Sequence, residues 1–211
     1  MGNGAKIHLS AFETEVVTDT GWILTKKAII EKIYLFFGEM HEVYKAISID
    51  ENGLSPIVKF IKNGKISKGE NYLGLPYVIL DYPAFFKRDN IFTVRTMFWW
   101  GNFFSITLHL SGKKRRQSAS LQNLLVHLKE KNFFVCINED EWQHAFDSTN
   151  YIAANEIDKK QWEGICTKNF FKISKKIDLI KWYDAPQFLE KSYRELIELI
   201  KISFPGGEKV L

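Results

Sequence analysis

The residues best equipped for chemistry lie in one stretch, TVRTMFWWGNFFSITLHL, from Thr93 to Leu110. Arg95 offers a planar fork of donors that suits a carboxylate or a phosphate. His109 titrates near neutrality and can move a proton. Thr96, Ser105 and Thr107 supply hydroxyls, and Trp100 a ring on which a flat ligand can stack. Gly101-Asn102 between two apolar runs reads as a two-residue hairpin turn. That turn pairs Trp100 with Phe103, Trp99 with Phe104 and Arg95 with Leu108. One face then holds Trp99, Met97 and Arg95. The other holds Trp100, Phe98 and Thr96 opposite Phe103, Ser105, Thr107 and His109. Rings beside a few convergent polar groups are the usual lining of a small-molecule pocket. Arg95, left on the apolar face, needs a carboxylate, and Asp81 in the neighbouring strand is the nearest candidate; alternatively it anchors an anionic ligand. A slip of one residue exchanges the faces.

Charge adds a second feature. The chain carries a net +4, but residues 59–116 hold eleven Lys and Arg against Glu70, Asp81 and Asp89, a net +8. Such asymmetry attracts anions. The run Lys113 to Arg116 begins ten residues after Phe103, roughly 33 Å along a strand. The aromatic turn and the cations therefore sit at opposite ends of the hairpin and form no single stacking and neutralising patch. The Lys62, Lys65 and Lys68 segment, rich in glycine, reads as a solvated loop.

Other chemistry is poorly supported. Glu141-Trp-Gln-His144 has the spacing of one carboxylate-bridged di-iron half-site, but a second copy is missing, and a surface helix is the plainer reading. There is no HExxH, no G-x-S-x-G and no phosphate-binding glycine motif. Cys136 and Cys166 are too few for a zinc site and read as reduced thiols. No cofactor or metal is implied. His109 has no acidic partner that the sequence itself places.

The elements that position these residues follow from periodicity. Thr25 to Ile47 reads as a helix with Thr25 as N-cap, preceded by an extended FETEVV; residues 55–61 are ambiguous. NGKISKGENYLGLP reads as loop, Tyr77 to Tyr82 as a strand stopped by Pro83, and residues 91–100 and 103–110 as two more strands. Further on, a helix capped by Ser118 or Ser120, a short strand at 133–137, a short helix at 139–146 and a capping-box helix from Asp158 are predicted. Residues 171–179 alternate as a half-buried strand. A last helix starts at Asp184-Ala-Pro186 and stops at Gly206-Gly207.

Together these give an α+β fold: a single domain over residues 1–211, mainly antiparallel sheet with helices packed on one face. No run reaches the roughly 18 apolar residues of a membrane span. The N-terminus has no secretory h-region, so a cytoplasmic location is expected, and the abundance of Lys, Ile and Asn suits a low-GC bacterial genome. The leading functional expectation is a site for a small anionic or aromatic ligand beside the 91–110 hairpin, lined by Thr96, Trp100, Ser105, Thr107, His109 and Arg95. The alternatives are an enzyme acting on an anionic substrate with His109 as acid/base, and nucleic-acid binding through residues 59–116. Oligomeric state is not encoded in any pattern.

Overall fold

The structure is a computed structural model that describes residues 8–50, 64–88, 90–113, 115 and 121–204. The expectations for residues 55–61, for Ser118 and Ser120 and for Gly206-Gly207 lie outside these residues. Five α-helices and seven strands occur among the described residues: α1 Ala11–Thr18, α2 Thr20–Asp50, β1 Lys65–Tyr72, β2 Leu75–Lys87, β3 Asn90–Trp99, β4 Phe103–Gly112, α3 Leu124–Glu130, β5 Phe134–Cys136, β6 Tyr151–Ala153, α4 Lys159–Ile165, β7 Phe170–Asp178 and α5 Ala185–Ser203. All seven strands join one sheet in the order β1-β2-β3-β4-β7-β5-β6, and every pairing is antiparallel. The fold is α+β, with helices on one face.

That face is built from apolar periodicity. α2 presents Ile33, Phe37, Met40 and Tyr44, and α5 presents Leu189, Tyr193, Leu196 and Ile200, to Val94, Phe98, Phe104, Ile106 and Leu108 of the central strands. Phe104 is fully buried and meets Phe98, Phe36 and Trp182 with ring centroids 5.3 to 5.8 Å apart. Where α2 and α5 cross, the rings of Tyr44 and Tyr193 stack at 4.0 Å.

Several expectations are corrected. FETEVV is helical: Ser10 and Glu13 form a capping box that starts α1. α2 begins at Thr20, where the Asp19 carboxylate accepts the Gly21 and Trp22 N–H groups at 2.8 and 3.2 Å, so Thr25 is interior and caps nothing. Lys65 to Tyr72 is an edge strand, turned into β2 at Leu73 and Gly74, both with left-handed φ. β2 continues through Pro83, which sits in an irregularity between Asp81 and Ala84 where a proline's missing N–H costs no ladder bond. The Asp158–Gln161 capping box is present.

The hairpin register also differs from expectation. Trp99 pairs with Phe103, Phe98 with Phe104, Arg95 with Thr107 and Thr93 with His109. The turn closes one residue earlier than a Gly-Asn loop would: Asn102 N–H donates to the Trp99 carbonyl at 3.0 Å, with Gly101 at φ +71°. Trp100 has left the β4 ladder, its N–H held by the Pro76 carbonyl at 3.0 Å and its ring set edge-on to Phe98 at 6.1 Å. A three-residue reversal shifts every pair by one, so Trp99 and Phe104 lie on opposite faces.

Candidate functional site

The shifted register gathers the polar residues on the sheet face away from the helices. Arg95 now shares a face with Ser105, Thr107 and His109. Thr96 and Trp100 do not: Thr96 is fully buried on the helix side, its hydroxyl 3.0 Å from the Tyr44 hydroxyl, and Trp100 packs at the edge of the same core. The six residues singled out from the sequence therefore divide four to two across the sheet.

This second face is roofed by residues 137–150, the connection between β5 and β6. The helix expected at 139–146 does not form. Asn138 accepts the Asp140 N–H at 2.8 Å and Asp140 accepts the Trp142 N–H at 2.9 Å, and such side-chain bonds compete with helical ones. The Tyr72 hydroxyl takes the N–H groups of His144 and Ala145 at 2.7 and 3.0 Å. From below, the Lys172 ammonium donates to the Glu141 and Gln143 carbonyls at 2.8 and 2.5 Å. Anchored this way, the roof lowers Glu141 and His144 onto two different strands.

Arg95 grips Asp81 with two bonds, Nε to Oδ1 at 2.8 Å and Nη2 to Oδ2 at 3.0 Å. The carboxylate expected from strand adjacency is thus the one found. Arg95 Nη1 lies 3.2 Å from His144 Nε2. Guanidinium only donates, so this nitrogen carries the lone pair and His144 is neutral with its proton on Nδ1. Burial agrees, holding His144 well below the ordinary histidine range, with Lys172 and Arg95 adding to the effect. The Arg95 guanidinium also lies 5.8 Å from the ring centroids of Phe86 and Trp142.

His109 has the acidic partner the sequence could not place. Its Nε2 is 2.9 Å from Glu141 Oε2, so Nε2 donates to the carboxylate. Burial pushes the imidazole pKa down more strongly than Glu141 pushes it up. The His109 bond keeps the Glu141 carboxyl below its usual range. Lys172, nearly inaccessible, is pushed down to about 8 by burial. Thr107 and Ser174 pair their hydroxyls at 2.7 Å.

Only the rim of this network meets solvent. The His109 side chain is 3% exposed and Glu141 26%. Beside Glu141 opens a cleft of about 460 Å³, lined by Phe86, Lys87, Arg88, Ile91, Ser111, Gly112, Glu141, Trp142 and Asn169. A larger groove, about 690 Å³, lies at the other end of β7 among Lys176, Lys181, Asp178 and Asp184, away from both histidines. Among the described residues no three His, Cys, Asp or Glu side chains converge as metal ligands, and no helix is long and apolar enough to cross a membrane.

Sequence reasoning named Glu141 and His144 only for a di-iron spacing and Lys87 and Arg88 only within the basic 59–116 segment, and did not connect these or Lys172 with the hairpin face. The Glu141-x-x-His144 spacing and the Asn138/Asp140 turn residues were the available signals. No known protein family, curated protein or solved structure matches the chain.

Proposed function

We propose that the protein binds a small, aromatic, anionic molecule in the cleft beside Glu141 and Trp142. The observation that carries this reading is the cleft's composition: Phe86 and Trp142, 42% and 45% exposed, line the same space as the exposed cation Arg88, with Lys87 at its border and its ammonium over the Phe85 ring. Rings supply stacking area and the cations select a negative group. Glu141, tied to His109, fixes one wall and accepts a donor from the ligand.

The test is a thermal-shift screen of aromatic carboxylates and phosphate monoesters against the wild type, Trp142→Ala and Arg88→Glu. The expected result is a ligand that raises the wild-type Tm by several degrees and loses that effect in both variants. Absence of any shift across the library, or equal shifts in all three proteins, contradicts the proposal.

A second reading, an acid–base enzyme on the same ligand class, is favoured by the His109–Glu141 pair. A hydrogen-bonded imidazole and carboxylate are the groups that proton-transfer sites most often use. In this reading Glu141 touches the substrate and His109, nearly enclosed, positions it. Glu141→Gln then abolishes turnover while leaving binding within a few-fold. Binding of nucleic acid has less support: Arg95 is engaged with Asp81, and Arg115 is buried and donates to the Cys166 carbonyl, which removes both from a surface patch.

A further inference from the structure

The first two helices leave an apolar surface uncovered among the described residues. α1 is eight residues long and none of its residues is buried. Helices of this length are marginal in water on propensity alone; the Ser10–Glu13 capping box gives α1 local support, and none of its residues is buried among the described residues. Phe12 is 71% exposed, Val17 68%, Trp22 50% and Leu24 60%. The two rings alone leave on the order of 250 Å² open. Between α1 and the start of α2 runs a groove of about 430 Å³, walled by Phe12, Val16 and Val17 on one side and Trp22 and Ile23 on the other. Two acids, Glu13 and Asp19, line it, and no Lys or Arg does.

We infer that this groove receives an amphipathic helix of a partner protein, its apolar stripe seated between α1 and α2 and its Lys or Arg flanks facing Glu13 and Asp19. Anchors at i, i+3, i+4 and i+7 suit a groove between two helices. The charge decides among occupants. A second copy sets two acids against two, and an anionic lipid surface meets the same repulsion, whereas a basic helix gains attraction and steering.

The test uses the full chain and a labelled peptide of about 18 residues, long enough to form a helix when bound, composed of Leu and Lys with one apolar stripe. Its counterpart replaces every Lys with Glu. Fluorescence anisotropy should show binding of the Leu/Lys peptide and none of the Leu/Glu peptide. Val17→Asp should weaken binding at least ten-fold, although it adds negative charge; attraction by charge alone would strengthen it. Because α1 buries nothing, the variant should keep the wild-type circular dichroism and unfolding midpoint. Equal binding of both peptides, or undiminished binding to Val17→Asp, overturns the inference. So does a dimer in sedimentation that Val17→Asp dissolves, or a preference for phosphatidylserine vesicles over the peptide.

Discussion

The two faces of the sheet are held by different physics. The helix side is apolar packing, with Phe104, Ile106 and Leu108 fully buried beneath α2 and α5. The roofed side is a network in which Asp81, Arg95, His109, Glu141, His144 and Lys172 satisfy one another or the backbone of residues 137–150. The same strands carry both, because successive side chains alternate. Apolar packing is tolerant of pH and insensitive to protonation. The polar side is only as stable as its charge states, and it is the side that opens to a cleft.

Breaking each face should show this difference. Phe104→Ala, which empties a ring site in the dry core, should cost about 3–5 kcal/mol, and the loss should be the same at pH 6 and pH 9 by denaturant unfolding. Asp81→Ala strands Arg95 and should cost a similar 3–5 kcal/mol. Here, however, replacing both partners (Asp81→Leu with Arg95→Met) should recover most of the loss, since the penalty lies in the uncompensated charge. No recovery would mean that the pair itself, and not its isolation, carries the stability.

Titration sharpens the contrast. His109 and His144 have depressed pKa values in the folded chain, so the unfolded chain takes up protons first as pH falls below the ordinary histidine value near 6.5, and stability drops. Glu141, also depressed, extends the loss through the carboxylate range. Lys172 acts at the other end. With a folded pKa of about 8 against 10.5, the unfolded chain binds more protons between these values, so stability rises with pH across that window. Lys172→Met should flatten the alkaline rise and also weaken the acid limb, because the Lys172 charge helps to depress both histidines. Glu141→Gln is the mildest change, about 1–2 kcal/mol for one partly exposed charge-assisted bond, and it should lower the His109 pKa further, as seen by imidazole NMR titration.

Much of the architecture was legible because it rests on periodicity. The apolar stripes of α2 and α5, the alternation in β7 and the Asp158–Gln161 box all lead to the elements observed. Asp81 as the partner of Arg95 was legible too, because neighbouring strands bring opposite charges together. The register was not, since the turn is set by a contact distant in sequence, the Trp100 N–H on the Pro76 carbonyl. One residue of slip moved Arg95 to the side of His109 and left Thr96 and Trp100 on the other. The roof was illegible for a similar reason. Its backbone is captured by Tyr72 and Lys172, residues that lie 73 and 31 positions away from their most distant partners in the roof. A local helical pattern at 139–146 carries no trace of either.

The most direct test of the proposed site is a titration with phenyl phosphate followed by the indole N–H resonance of Trp142, assigned by its loss in Trp142→Phe. Binding in the cleft requires a saturable shift of that resonance, abolished in Arg88→Glu and unaffected by Val17→Asp. A titration in which the Trp142 signal stays fixed while Trp22 or Trp182 moves would place the anion elsewhere and contradict a ligand site beside Glu141.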